Sequence, residues 1–137
     1  MARFTLEDMA GKKGLGGRFL IDSAATTNEE LGNPVYPPAA RKLREHGIDC
    51  QGHAARKVTP RDYGDYDLII GMDDENMRDL MRIFGGDPDG KIKLLLDYAD
   101  RSGESVPDPW YTRDFEAAWR DIEAGCSGLL MRCAEQM

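Results

Sequence analysis

Residues 67–86 read DLIIGMDDENMRDLMRIFGG, and this stretch decides the fold. Residues 67–72 form a short, mostly apolar run, which predicts a strand. The acidic residues that begin at Asp73 and the two glycines at 85–86 predict a helix between them, because acids favour a helix start and glycine favours its end. Acidic helix starts are far commoner than metal sites, so no metal is predicted here.

Working outward, the same signals predict further elements on both sides. We expect helices over the first dozen residues, from Pro37–Pro38 to His46–Gly47, and over 113–136, and strands over 18–25 and 91–99. Strands that alternate with helices indicate an α/β fold with a small parallel sheet sandwiched by helices. The chain length, 137 residues, predicts a single domain, 1–137.

Composition excludes several classes of partner. The formal net charge of −7 argues against nucleic acid or an anionic membrane as a partner. No segment is apolar over the length of a membrane span, and the first residues do not resemble a signal peptide. Cys50, Cys126 and Cys133 form no CxxC pair, so neither a disulfide framework nor a zinc site is indicated, and a cytoplasmic protein without a cofactor is expected.

Residues 105–119, SVPDPWYTRDFEAAW, place Asp108 between two prolines and follow it with Trp110 and Tyr111. Proline fixes φ on either side of the acid, so little conformational entropy is lost when its carboxylate is aimed. The local sequence fits two interpretations equally. One is a structural turn that starts the next helix, and the other is a positioned catalytic acid.

Three stretches together resemble the low-molecular-weight protein-tyrosine phosphatases over nearly the whole chain: 21–56, 66–80 and 108–119. The resemblance implies that Asp108 is the general acid, that Trp110 and Tyr111 wall the phosphotyrosine pocket, and that His53 and Asp73 support the phosphate-binding loop. Without the resemblance, the last two are a turn histidine and a helix cap. The implied substrates are phosphotyrosine proteins or small aryl phosphates.

The family's nucleophile is a cysteine in a loop of pattern C-x5-R-[ST] between its first strand and first helix. Two stretches match the C-x5-R spacing, Cys50 to Arg56 and Cys126 to Arg132. The first precedes no predicted helix start and has Lys57 at the Ser/Thr position, and the second lies inside a helix, where the backbone N–H groups are already bonded. We interpret both as chance matches, so this chain contains no nucleophile.

The resemblance therefore implies an N-terminally incomplete domain that lacks the first strand and the cysteine loop. The expected function is phosphotyrosine or aryl phosphate hydrolysis through a phosphocysteine intermediate when the domain is complete, with the 137-residue chain inactive as written. The alternative is a non-catalytic pseudophosphatase that acts as a binding or regulatory protein.

The family's strand order, 2-1-3-4, places the first strand between the segments that are here 18–25 and 67–72. Without it, two rows of backbone N–H and C=O groups face a slot. We expect the slot to be closed by sliding of 18–25 against 67–72, by a strand from another chain, or by an added peptide. Self-association through this slot is the resulting prediction.

Overall fold

The computed structural model describes residues 1–26, 37–50, 56–107 and 112–135. Its helices are α1 (Ala2–Lys12), α2 (Pro37–Glu45), α3 (Asp62–Asp65), α4 (Asp74–Phe84) and α5 (Phe115–Glu135), its strands are β1 (Ile69–Gly71) and β2 (Ile92–Leu94), and 3-10 helices lie at Gly16–Arg18 and Leu95–Ala99. Helices alternate along the chain with the two strands of a small parallel sheet. This order confirms the predicted α/β class. The short helix α3 was not predicted.

Strands β1 and β2 are parallel, with Ile69 opposite Ile92 and Gly71 opposite Leu94. Helix α4 connects them and packs on both. Gly71 permits this close packing, because a Cβ there would lie 3.0 Å from the Met77 sulfur. The sheet and its crossover helix thus form one βαβ unit.

The predicted bounds of α4 are confirmed. The Asp73 side chain accepts a 2.8 Å hydrogen bond from the Asn76 N–H and so caps the helix start. Gly85 ends the helix in the left-handed conformation, with φ 71°, a position that suits glycine because it lacks a Cβ. Local sequence signals fixed both ends of this helix.

The predicted strand 91–99 is too long, because only Ile92–Leu94 is strand and the chain then turns into the 3-10 helix Leu95–Ala99. The Asp97 carboxylate holds this turn by accepting the N–H groups of Leu94 at 3.2 Å and Gly103 at 2.8 Å. The turn also packs against α5, where Gly125 and Gly128 leave no space for a Cβ beside it. Side-chain capping and close packing therefore end the strand early.

The predicted strand 18–25 is wrong in the described structure. Residues 19–24 belong to no strand or helix, and Ala25 makes a single parallel bridge, to Lys57. Leu20 is 83% exposed, so this part of the apolar run is not buried. Among the described residues β1 pairs only with β2, so 18–25 has not slid against it. An apolar run without a neighbouring strand cannot form a ladder.

Helix α5 provides the main packing surface of the core. Its inner face meets the 3-10 helix Leu95–Ala99 and α1. The larger core cluster consists of Leu95, Leu96, Val106, Ala118, Ile122, Cys126 and Leu129. A second cluster joins Leu43, Ile48, Cys50 and Trp119. Within the described ranges, no helix combines the length and apolar character that crossing a membrane requires.

Candidate functional site

The segment that leads to Asp108 is fixed to the carboxyl end of β1. The Val106 N–H donates a 2.8 Å hydrogen bond to the Met72 carbonyl oxygen. The Asp74 N–H donates a 3.1 Å hydrogen bond to Ser105 Oγ. Val106 is also buried in the larger core cluster. The first part of this loop therefore lies at the carboxyl ends of the strands, where open α/β sheets place their binding residues.

Asp73 also lies at the carboxyl end of β1, just before helix α4. Its Oδ1 accepts the Asn76 N–H, and Asn76 Oδ1 accepts the Met72 N–H at 3.0 Å. These two hydrogen bonds fix the junction between strand and helix, and the observed role of Asp73 is helix capping. Its predicted support of a phosphate-binding loop stays a prediction. In the described part of the chain, no three His, Cys, Asp or Glu residues are arranged to hold a metal.

Asp108, Trp110, Tyr111 and His53 lie outside the described residues, so their predicted roles stay predictions. The chain is well anchored beyond the acid segment as well as before it. The Asp114 carboxylate accepts the Ala117 N–H at 2.9 Å, in the first turn of α5, and the Asp114 N–H donates to Thr112 Oγ1 at 3.2 Å.

Cys126 is a buried core residue. It lies inside α5, is 1% exposed, and its sulfur is 3.7 Å from the Ala2 carbonyl oxygen. Burial raises its pKa to about 12, so the thiol is protonated at neutral pH. Arg132, the second member of that C-x5-R match, lies over the Tyr98 ring. The interpretation of 126–132 as a chance match stays a prediction, and the burial of Cys126 supports it.

In the first match, Cys50 to Arg56, both end residues contact other parts of the chain. Cys50 is buried in the smaller core cluster. Arg56 donates from Nε to Asp22 at 3.0 Å and from Nη1 to Asp62 at 3.1 Å. The hydrogen bond with Asp62 is the main reason that the Arg56 pKa is raised. A guanidinium held by two carboxylates has little capacity left for a phosphate.

Cys133, the remaining cysteine, is half-buried in α5. Burial raises its pKa as well. A raised pKa keeps a thiol protonated at neutral pH and lowers its reactivity.

A cavity of about 420 Å³ lies between residues 18–24 and the β1 strand. Side chains of α1, α3, α4 and α5 complete its walls, and most of the lining is aliphatic or aromatic. We call this cavity the strand groove. It lies between the two segments that were predicted to flank the slot. No local motif in the sequence marks this cavity, and the missing strand stays a prediction.

A family model, curated proteins and solved structures are similar to this chain. The family described as low molecular weight phosphotyrosine protein phosphatase matches residues 1–137. A Bacillus subtilis protein, low molecular weight protein-tyrosine-phosphatase YfkJ, is 41% identical over 131 residues, which is 95% of this chain and 84% of that protein. A mouse low molecular weight phosphotyrosine protein phosphatase is 37% identical over 114 residues, 80% of this chain and 72% of its own.

The crystal structure of YfkJ from Bacillus subtilis is similar to the whole described fold. The two structures superpose with a TM-score of 0.94 at 39% sequence identity. The match covers 98% of this chain and 86% of the YfkJ chain. The arrangement of helices around a small parallel sheet is therefore shared with a solved structure.

Proposed function

The chain belongs to the low molecular weight phosphotyrosine protein phosphatase family, and on that premise we propose that its complete catalytic domain hydrolyses phosphotyrosine in proteins or small aryl phosphates. The family is one of phosphatase hydrolases. The observation that carries the proposal is the anchoring of the loop before Asp108. The Val106–Met72 hydrogen bond holds that loop at the carboxyl end of β1.

In this proposal Asp108 is the general acid and Trp110 and Tyr111 form the wall of the substrate pocket. His53 and Asp73 support the phosphate-binding loop. Asp73 lies at the carboxyl end of β1, and the loop that leads to Asp108 begins at the same end of the sheet. This position favours the proposed role of Asp73. Tyrosine is a poor leaving group with a pKa of about 10, so a positioned acid has a clear use.

The proposed reaction has two steps. A cysteine thiolate attacks phosphorus, the bond between phosphorus and the aryl oxygen breaks, and Asp108 gives its proton to that oxygen. Water then attacks the phosphocysteine, Asp108 takes a proton from the water, and the thiolate leaves as inorganic phosphate is released. Arginine and backbone N–H groups of the cysteine loop bind the phosphate oxygens in both steps.

We further propose that the 137-residue chain as written is not catalytic. Its three cysteines are buried or half-buried, and burial raises the pKa of Cys126 and Cys133. Among the described residues, Arg56 is hydrogen-bonded to Asp22 and Asp62, and Arg132 lies over the Tyr98 ring. The alternative is a pseudophosphatase that binds partners without turnover. It is supported by the same observation, that the three cysteines are buried or half-buried.

A comparison of two chains tests the proposal. The 137-residue chain should not turn over p-nitrophenyl phosphate, whereas the same chain preceded by a strand and a C-x5-R-S loop should do so. The matched control carries serine in place of the loop cysteine and should be inactive. A folded, extended chain without turnover would favour the pseudophosphatase. Turnover by the 137-residue chain that disappears in Cys50→Ser would show that the first match is a real site.

A further inference from the structure

Arg113 has a backbone conformation that few residues other than glycine adopt. Its φ is 62°, in the left-handed region, where the Cβ of an L-residue is crowded by the following carbonyl oxygen. The other non-glycine residue with a positive φ among those described is Asp100, with φ 58°. Aspartate is enriched in this region, whereas arginine is not. Arginine is therefore an unusual residue at position 113.

The residues on both sides of Arg113 hold this conformation. The Asp114 N–H donates to Thr112 Oγ1 at 3.2 Å, and the Asp114 carboxylate accepts the Ala117 N–H at 2.9 Å. Both neighbours are thus tied to the first turn of α5. Strained residues persist where the surrounding structure fixes them, and they cluster at functional sites. The backbone of Arg113 is therefore a reason to ask what its side chain binds.

The Arg113 side chain is available to a ligand. It is exposed, and its guanidinium has no hydrogen bond, ion pair or ring contact within the part of the chain that the structure describes. By contrast, Arg56 and Arg101 each bind two carboxylates. The charge of Arg113 is thus left for a group outside the described residues.

Arg113 lies close to the proposed substrate pocket. Two peptide units separate it from Tyr111, so the two Cα atoms are at most about 7 Å apart. In the proposed reaction the cysteine loop binds the phosphate itself. Arg113 lies beyond the proposed pocket wall, where the residues next to a phosphotyrosine would pass. A guanidinium there suits a carboxylate, which it binds with two parallel hydrogen bonds.

The other end of the acid loop carries the opposite charge. The Asp74 N–H donates to Ser105 Oγ at the start of this loop. The carboxylates of Asp74 and Glu75 are exposed, and neither has an ion pair among the residues described. Arg113 supplies a cation where the loop ends. Charges of opposite sign at two places on a binding surface fix the orientation of a partner.

We propose that Arg113 is a specificity-determining residue that binds the carboxylate of an aspartate or glutamate next to the phosphotyrosine of a protein substrate. This inference rests on the proposed function and deepens it, because it names the class of phosphotyrosine sequence that the site prefers. The contact is the same in the bound substrate and in the transition state, so it lowers KM and has little effect on kcat.

Two peptides are the probes, acetyl-Glu-Glu-phosphotyrosine-Glu-Glu-amide and the corresponding peptide with four lysines. Both are assayed at low ionic strength with the chain preceded by a strand and a C-x5-R-S loop. In Arg113→Ala, the ratio of kcat/KM for the glutamate peptide to that for the lysine peptide should fall about two- to fivefold, the usual effect of an exposed ion pair. The fall should come from KM for the glutamate peptide. Arg113→Lys should retain most of the ratio, and salt at about 0.5 M should reduce the difference.

The 137-residue chain supplies a second measurement, which needs no catalysis. Arg113→Gly should melt at a higher temperature than Arg113→Ala, because glycine adopts a positive φ without the crowding of a Cβ. Equal melting temperatures would show that position 113 is not strained, and would overturn the argument that a strained arginine is kept there for binding.

Lys13→Ala is the matched control for charge, since it also removes one positive charge from an exposed residue, at the end of α1. The ratio between the two peptides should not change in this variant. An equal fall in Lys13→Ala, or an unchanged ratio in Arg113→Ala, would overturn the inference and leave the proposed function standing. A folded, extended chain that hydrolyses neither peptide nor p-nitrophenyl phosphate would overturn the proposed function and this inference with it.

Discussion

The amide of Val106 and the carbonyl oxygen of Met72 are joined by a 2.8 Å hydrogen bond. Met72 directly follows β1, and Val106 lies two positions before Asp108 in the chain. The sheet thus sets where the acid loop begins. Val106 is 5% exposed, so its side chain fixes the loop a second time, through the core.

Asp108→Asn should separate substrates by their leaving group. In the chain extended by a strand and a C-x5-R-S loop, we expect a loss of about 10²–10⁴-fold on phosphotyrosine, the usual contribution of a general acid. The loss should be much smaller on p-nitrophenyl phosphate, whose leaving group needs little protonation. Steady-state kinetics on both substrates measures this. Equal losses would assign Asp108 another role.

The stability of the chain should fall in acid through the Arg56 network. Burial alone would raise the pKa of Asp62, but hydrogen bonds from Arg56 and Thr59 outweigh it and lower the pKa below its ordinary value. The pKa of Asp22 is lowered in the same way: burial would raise it, but hydrogen bonds from Ser23 and Arg56 outweigh burial. A carboxyl with a lowered folded pKa adds stability above its unfolded pKa, about 3.9, which is lost as the pH falls through the folded value.

Asp62→Asn should therefore reduce the free energy of unfolding at pH 7 by about 1 kcal/mol or less and should flatten the acid dependence below pH ~4. Urea titrations at several pH values measure both effects. Asp89→Asn, an exposed change, is the matched control and should retain the acid dependence of the parent. A variant at position 62 with the parent's pH profile would contradict this prediction.

Gly128→Ala should destabilise the chain. A Cβ at this position would overlap the Tyr98 carbonyl group of the 3-10 helix, and overpacking of this kind costs about 1–3 kcal/mol or more. Gly11→Ala in α1 is the control, because nothing lies within 4 Å of its Cβ position. That change should stabilise the helix by up to about 1 kcal/mol. Thermal unfolding of both variants tests the contrast, and similar melting temperatures would refute it.

The isolated chain should self-associate through the strand groove. In the part of the chain that the structure describes, β1 pairs only with β2, so its other edge and the exposed side chains of Leu20 and Leu68 offer a surface to another chain. We expect concentration-dependent association in sedimentation experiments. A monomer at all concentrations, with Ile70 strongly protected from exchange, would contradict this prediction.

The sequence by itself determined the elements whose signals are local. Asp73 and Gly85 fix α4 because a capping carboxylate and a left-handed glycine act within one turn of the helix that they bound. The spacing of apolar residues placed Cys126 on the inner face of α5, where it is buried. The family resemblance likewise needed only residues in order along the chain.

Tertiary structure alone decided which apolar runs became strands. Residues 18–25 and 67–72 are both short apolar runs in the sequence. Only the second forms a ladder, because β2 lies beside it and no described strand lies beside residues 19–24. The run 91–99 ends as a strand at Leu94, where Asp97 and the glycines of α5 turn the chain. A strand is a property of two segments, since each ladder hydrogen bond needs a donor and an acceptor that are distant in the chain.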